Sequence, residues 1–176
     1  MIDFARNYFD LFGIPQRYRF DGERLEQAYR ALQSEVHPDR FAGGSDAQKR
    51  IALQSSARVN EAYRALRDPV LRAQYLLQMH GVDATDETDT SLPLEFLEHQ
   101  LERREAAEGF VEARDVRALS ALVTQIRAES TDREAALATA LDDERAFADA
   151  RTKVRELTFL QKLAADLDTL QSTLDD

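Results

Sequence analysis

Cysteine is absent from this sequence. Disulfides, thiolate metal sites and cysteine nucleophiles are excluded with it. Histidine is nearly absent: three residues, His37, His80 and His99, are too few and too scattered for a histidine metal site. Glycine (6) and proline (4) are scarce, and alternating β-branched stretches are almost wanting. Ala, Leu, Arg and Glu dominate instead, all strong helix formers. An all-α fold is therefore expected. No run of 18 apolar residues occurs, so no membrane span is expected. The opening Met-Ile-Asp-Phe-Ala-Arg does not read as a secretory leader. A cytoplasmic protein is the expectation.

With 43% hydrophobic and 32% charged residues, the composition is that of a folding chain. The net charge of −10 is unevenly spread. Residues 1–80 hold 12 Lys/Arg against 10 Asp/Glu, a net of +2, whereas residues 81–176 hold 11 against 23, a net of −12. Two domains with different partners are implied. The acidic half is repelled by phosphate backbones, which disfavours a nucleic-acid partner.

Along the chain, residues 7–13 read as a short helix stopped by Gly13 and followed by Pro15. Asp21 caps a second helix whose apolar face is Leu25, Ala28, Tyr29, Leu32 and Val36. Pro38 stops it. Residues 41–46 form a flexible loop, and Ser45 or Asp46 caps a third helix running to about Arg67. Its inward face is Ala52, Ser56, Val59, Ala62/Tyr63 and Leu66. Pro69 opens a fourth helix that ends at His80-Gly81. The boundaries expected are 1–81 for a first domain, 82–91 for a polar linker and 92–176 for a three-helix bundle.

The bundle helices are expected near 92–108, 113–143 and 145–174. The first carries Leu94, Leu97 and Leu101. The second turns Val116, Leu119, Val123, Ile126, Leu137 and Leu141 inward. Leu160, Leu163, Leu167, Leu170 and Leu174 form the seam of the third.

His37-Pro38-Asp39 sits at the tip of the hairpin made by the second and third helices. Pro38 stiffens the tip. Asp39 offers a carboxylate that a partner's arginine could grip bidentately. A rigid polar triplet of this kind is a docking element. No nucleophile, second base or cofactor site lies within sequence reach, so neither an enzyme nor a cofactor is expected. The competing structural reading makes His37 and Pro38 a plain helix stop.

The flanks of the triplet resemble the J-domain family, and within it the bacterial HscB branch. Tyr8-Phe9-Asp10-Leu11-Phe12-Gly13-Ile14-Pro15 resembles the opening helix. Leu25 to Phe41 resembles the second helix and its loop, and Val59 to Pro69 the third helix. Arg72-Ala73-Gln74-Tyr75-Leu76-Leu77 with His80-Gly81, and Val154 to Leu163, resemble the branch itself. The cysteines of the eukaryotic members are missing.

The resemblance implies a co-chaperone of iron–sulfur cluster assembly. It would stimulate ATP hydrolysis by a DnaK/HscA-type chaperone and deliver the scaffold protein IscU to it. It implies chaperone contacts at His37, Pro38, Asp39, Arg40, Arg30 and Arg24. Arg40 stands where the family usually has Lys. It implies client contacts at Leu97, Leu101 and Phe159, with Glu102 and Glu105 as an acidic fringe. Two other readings stay open. The client could be a different protein, or Leu97 and Leu101 could be bundle core.

Overall fold

The structure is a computed structural model that describes residues 3–84 and 92–175. Among the described residues there is no strand, and the all-α expectation holds. The chain divides into two compact units, residues 1–76 and 77–176. Of the expected linker, residues 85–91 lie outside the described residues.

In the first unit, α1 (Tyr8–Phe12) is capped by Asn7 and closed by Gly13 at φ 63°. The Ile14 amide bonds back to the Phe9 carbonyl at 3.1 Å, a turn that needs the left-handed backbone glycine supplies. The α2 helix (Gly22–Val36) starts on the Asp21 cap as expected. After the stop at His37, Pro38–Phe41 forms a 3-10 turn that leads into the expected loop. Ser45 and Gln48 then make a reciprocal capping box for α3 (Asp46–Arg67). The inward serine of α3 is Ser55, 3% exposed, and not Ser56. The helical angle carries 55, 59, 62 and 66 along one stripe. The α4 helix (Pro69–Met79) ends before His80-Gly81. Gly81 at φ 75° lets the Val82 amide reach the Leu77 carbonyl at 2.9 Å.

The core of this unit is Phe9, Leu25, Val59, Ala62, Leu66 and Ala73. Tyr8 stacks on Tyr75 at 4.3 Å and lies under the Arg58 guanidinium at 4.5 Å, pinning α1 against α3 and α4. Burial and its hydrogen bond with Glu61 push the Tyr8 phenol up to about 12.

In the second unit, α5 covers Leu94–Glu112, starting later and running further than expected. Arg114 takes the left-handed position at φ 52°, and Asp115 caps α6 (Val116–Thr139). A π-type turn at Ala140–Glu144 and Arg145 at φ 54° break what reads in sequence as one continuous helix to 143. The α7 helix spans Phe147–Asp175. Leu119, Ile126, Leu137, Val154, Leu157 and Leu160 are fully buried between α6 and α7. Each contributes about 1.5–3 kcal/mol of burial. One leucine of the expected α7 seam, and one of the spaced leucines of α5, lie at the surface. Leu170 is 42% exposed near the end of α7, and Leu94 is 71% exposed on α5. At the start of α7, Phe147 stacks on the exposed His80 ring at 4.3 Å.

Burial separates leucines that sequence spacing treats alike. Leu119→Ala is expected to cost about 2–5 kcal/mol in urea denaturation. Leu101→Ala, at a site 59% exposed, is expected to stay within about 0.5 kcal/mol of the parent.

Candidate functional site

The first candidate surface is the tip of the α2–α3 hairpin. Pro38 disfavours helical backbone at the residue before it, and His37 takes φ −57°, ψ 128°. That kink turns the chain out of α2 and into the 3-10 turn. His37 Nδ1 accepts from the Asp39 amide at 3.3 Å, and the Arg40 amide donates to the His37 carbonyl at 3.1 Å. The Arg40 guanidinium donates to the Ser34 carbonyl at 3.2 Å, across the break. The backbone is thus tied on both sides while the Asp39 carboxylate faces solvent, its side chain 90% exposed and one oxygen 3.6 Å from His37 Nδ1. His37 is half-exposed.

Arg30, Gln33, Ser34, His37 and Arg40 line one shallow concavity beside the tip. The structure therefore brings Arg30, His37 and Arg40 together. Arg24 is exposed but lies about 120° round α2 from Arg30 and does not join them. Arg30 is not a bare cation either, since it pairs with Glu26 at 3.1 Å.

Two aromatic residues that sequence spacing places simply inward turn out to clamp this hairpin. Tyr29 and Tyr63 stack at 3.9 Å with an interplanar angle of 15°. The Tyr63 hydroxyl donates to Glu26, and the Tyr29 hydroxyl donates to Asn60 Oδ1 at 3.0 Å. Gln33 donates to the Tyr29 oxygen at 2.9 Å. The clamp spans α2 and α3 below the tip. The only sequence signal for it is that both helices carry a tyrosine at a half-buried position. The Tyr63 hydrogen bond, with Arg30 second, holds the Glu26 carboxyl below the usual carboxylate range. The same bond holds the Tyr63 phenol above its own.

The second candidate surface is on α5. Phe96 faces inward, 4% exposed, and meets Phe159 of α7 edge-on at 5.7 Å. Leu97 and Leu101 point outward, 40% and 59% exposed. Phe159 is half-buried, its ring covered by the Arg104 guanidinium at 5.5 Å. Glu102 and Glu105 are exposed on the same helix. Leu97 and Leu101 are therefore outside the bundle core, and Leu94 extends their stripe by one turn.

Behind this surface runs a chain of charges. Arg103 donates to Gln100 Oε1 at 3.1 Å and to Glu129 at 2.5 Å. Arg133 reaches the other Glu129 oxygen at 3.4 Å and also binds Glu156, which is buried. The Gln100 amide nitrogen is buried with no hydrogen-bond partner among the described residues. No group of three or more His, Cys, Asp or Glu is placed to hold a metal among the described residues. No helix there is long and apolar enough to cross a membrane.

Two family models match the chain. The DnaJ domain model covers residues 7–75, and the HSCB C-terminal oligomerisation domain model covers residues 92–168. A curated relative from Azoarcus sp. (strain BH72), named Co-chaperone protein HscB homolog, is 45% identical over 99% of this chain and 98% of its own. One of the same name from Burkholderia multivorans is 46% identical over 95% of both chains. Among solved structures, Chaperone HscB from Vibrio cholerae is 34% identical, with a TM-score of 0.83 over 96% of this chain and 99% of that one. The human co-chaperone protein HscB is 27% identical, with a TM-score of 0.85 over 96% of this chain and 83% of that one.

The clamp makes a titration prediction. A carboxyl held low in the fold contributes stability above its unfolded value, and that stability is lost as pH falls through the folded value. Tyr63→Phe removes the main cause of the Glu26 depression. In a carbon-detected NMR titration, the Glu26 carboxyl is expected to move up toward the ordinary glutamate range in that variant. An unchanged midpoint would show that Tyr63 does not donate to it in solution.

Proposed function

Because the chain belongs to the HscB family of J-domain co-chaperones, we propose that it docks on a DnaK/HscA-type ATPase chaperone, stimulates its ATP hydrolysis and delivers an IscU-type iron–sulfur scaffold to it. Its relatives are co-chaperones, and an Hsp70-type chaperone is the partner a J domain implies. One observation carries the reading of the tip. The turn is rigid in its backbone and turns its carboxylate to solvent, with Asp39 90% exposed beside the His37 ring. An exposed acid on a fixed turn pays little ordering entropy when a partner's arginine closes on it. The protein would hydrolyse nothing itself. It would act by binding one nucleotide state of the chaperone better than the other. His37, Pro38, Asp39, Arg40 and Arg30 form this contact, with Arg24 at its margin. The reading places the protein in the cytoplasm.

The client would sit on α5 and α7. Leu97, Leu101 and the accessible part of Phe159 supply apolar contact, and Glu102 and Glu105 supply a charged rim. Exposed leucines fringed by carboxylates suit a partner with an apolar patch and basic edges. Two competitors for the same residues are a different client and self-association, the latter in keeping with the match to an oligomerisation domain over residues 92–168.

The first test is steady-state ATP hydrolysis by an HscA-type chaperone with and without this protein and IscU. Stimulation is expected, with a further rise on adding IscU. Asp39→Asn keeps the size and removes the charge. It is expected to cut stimulation about tenfold or more, in line with loss of a charge-assisted contact. Stimulation without any IscU effect points to another client. No stimulation of any DnaK-type chaperone would leave the turn as a helix stop.

For the client face, Leu97→Ala with Phe159→Ala is expected to weaken scaffold binding about tenfold or more by calorimetry, with the helical spectrum and monomer mass unchanged. Undiminished affinity would remove these residues from the client surface. A wild-type dimer that this variant dissociates would assign the leucines to self-association.

A further inference from the structure

Helix α5 has two faces that compete for the interior of the bundle. Phe96, Gln100, Arg103 and Ala107 face inward. One residue on, about 100° round the helix, come Leu97 and Leu101, with Leu94 alongside. Hydrophobicity alone favours burying the leucines. Instead Gln100 is 2% exposed, while Leu94, Leu97 and Leu101 are 71%, 40% and 59% exposed. The helix hides a glutamine and half-hides an arginine while showing three leucines to water.

The C-terminal half of α5 is anchored by apolar contact: Ala107 is buried, and Phe110 and Val111 pack against the core. At the other end Phe96 is in the core, and Leu92 packs against it just before the helix begins. What else holds the first turns is ionic. Arg103 ties Gln100 on its own helix to Glu129 on α6. Arg133 ties Glu129 to Glu156 on α7, and its guanidinium lies 5.7 Å over the Phe96 ring. The Arg103 and Glu129 side chains are only 22% and 25% exposed. Turning α5 toward its leucine face would pull Arg103 away from Glu129 and leave both charges poorly hydrated and unpaired. A partly buried pair resists that strongly, and setting register is the best-attested use of such pairs.

We propose that the network of Gln100, Arg103, Glu129, Arg133 and Glu156 is a register lock, holding the first turns of α5 so that Leu97 and Leu101 stay exposed and available to a partner. These are positioning residues, since they act through the leucines. The purpose of the lock rests on the client reading given above, but its geometry does not. The test therefore uses no partner at all.

The chain has no cysteine, so one introduced thiol reports one position. Leu101→Cys is expected to react quickly with a small maleimide, and Ala107→Cys slowly. Glu129→Gln keeps the shape and removes the charge that holds Arg103. In that background Leu101→Cys labelling is expected to slow about fivefold, the factor by which the open population falls. Ala107→Cys, on the face that turns outward, should speed up. Replacing the pair outright, Arg103→Leu with Glu129→Leu, removes both charges and lets an apolar pair fill the same inward positions, so fast labelling of Leu101→Cys should return.

Undiminished labelling of Leu101→Cys in the Glu129→Gln protein would overturn the lock. So would unchanged slow labelling of Ala107→Cys, because the inward face would then not have turned. Failure of the double-leucine variant to restore labelling would overturn it as well.

Discussion

The ring of Pro38 restricts the backbone of the residue before it and removes a backbone donor, and the working end of the first unit follows from that. A helix continuing through 37–39 would consume the Asp39 amide in its ladder. The break frees that amide to bond to His37, brings Arg40 back onto the Ser34 carbonyl and leaves the carboxylate in water. The helix stop and the docking element are therefore the same structure. What distinguishes them is only whether something binds. The Tyr29–Tyr63 clamp matters for the same reason. A tip is only as well aimed as the two helices that carry it, and stacked rings bridged by Glu26 and Asn60 fix their relative position.

The second unit solves a different problem with different chemistry. Between α6 and α7 the leucines are buried in the ordinary way, and apolar area is enough to fix their packing. On α5 apolar area points the wrong way, because its leucines are on the outside. A helix of this kind needs directional contacts. An ion chain crossing three helices supplies them, where hydrophobic burial is non-directional.

The helix order, the caps at Asp21 and Ser45 and the glycine stop at 13 were legible because they depend on residues a few positions apart. The tip was legible for the same reason. Periodicity failed where tertiary partners decide. Ser55 against Ser56 is one residue of helical phase, within the width of an apolar stripe. The leucines of α5 and Leu170 of α7 fit a seam by spacing, yet spacing cannot say which of two faces a helix buries. The π-type turn at 140–144 has no proline or glycine to announce it. Between helices, the clamp and the ion chain link residues 23 to 37 positions apart, such as Arg133 with Glu156 and Glu26 with Tyr63, and no local pattern encodes such pairs.

Charge placement shapes the kind of encounter each surface can make. The first 80 residues carry a net of only +2. Of the cations near the tip, Arg30 is spent on Glu26 and Arg40 leans on a carbonyl. Long-range steering of an acidic partner toward the tip would therefore be modest, and screened further at a Debye length of about 8 Å in physiological salt. Docking at the tip then has to rely on short-range geometry, on a carboxylate already aimed and a turn already stiff. The acidic second unit is the opposite case. Its field is large, so a basic-edged client would be drawn from a distance and then held by a few leucines whose exposure is enforced from behind.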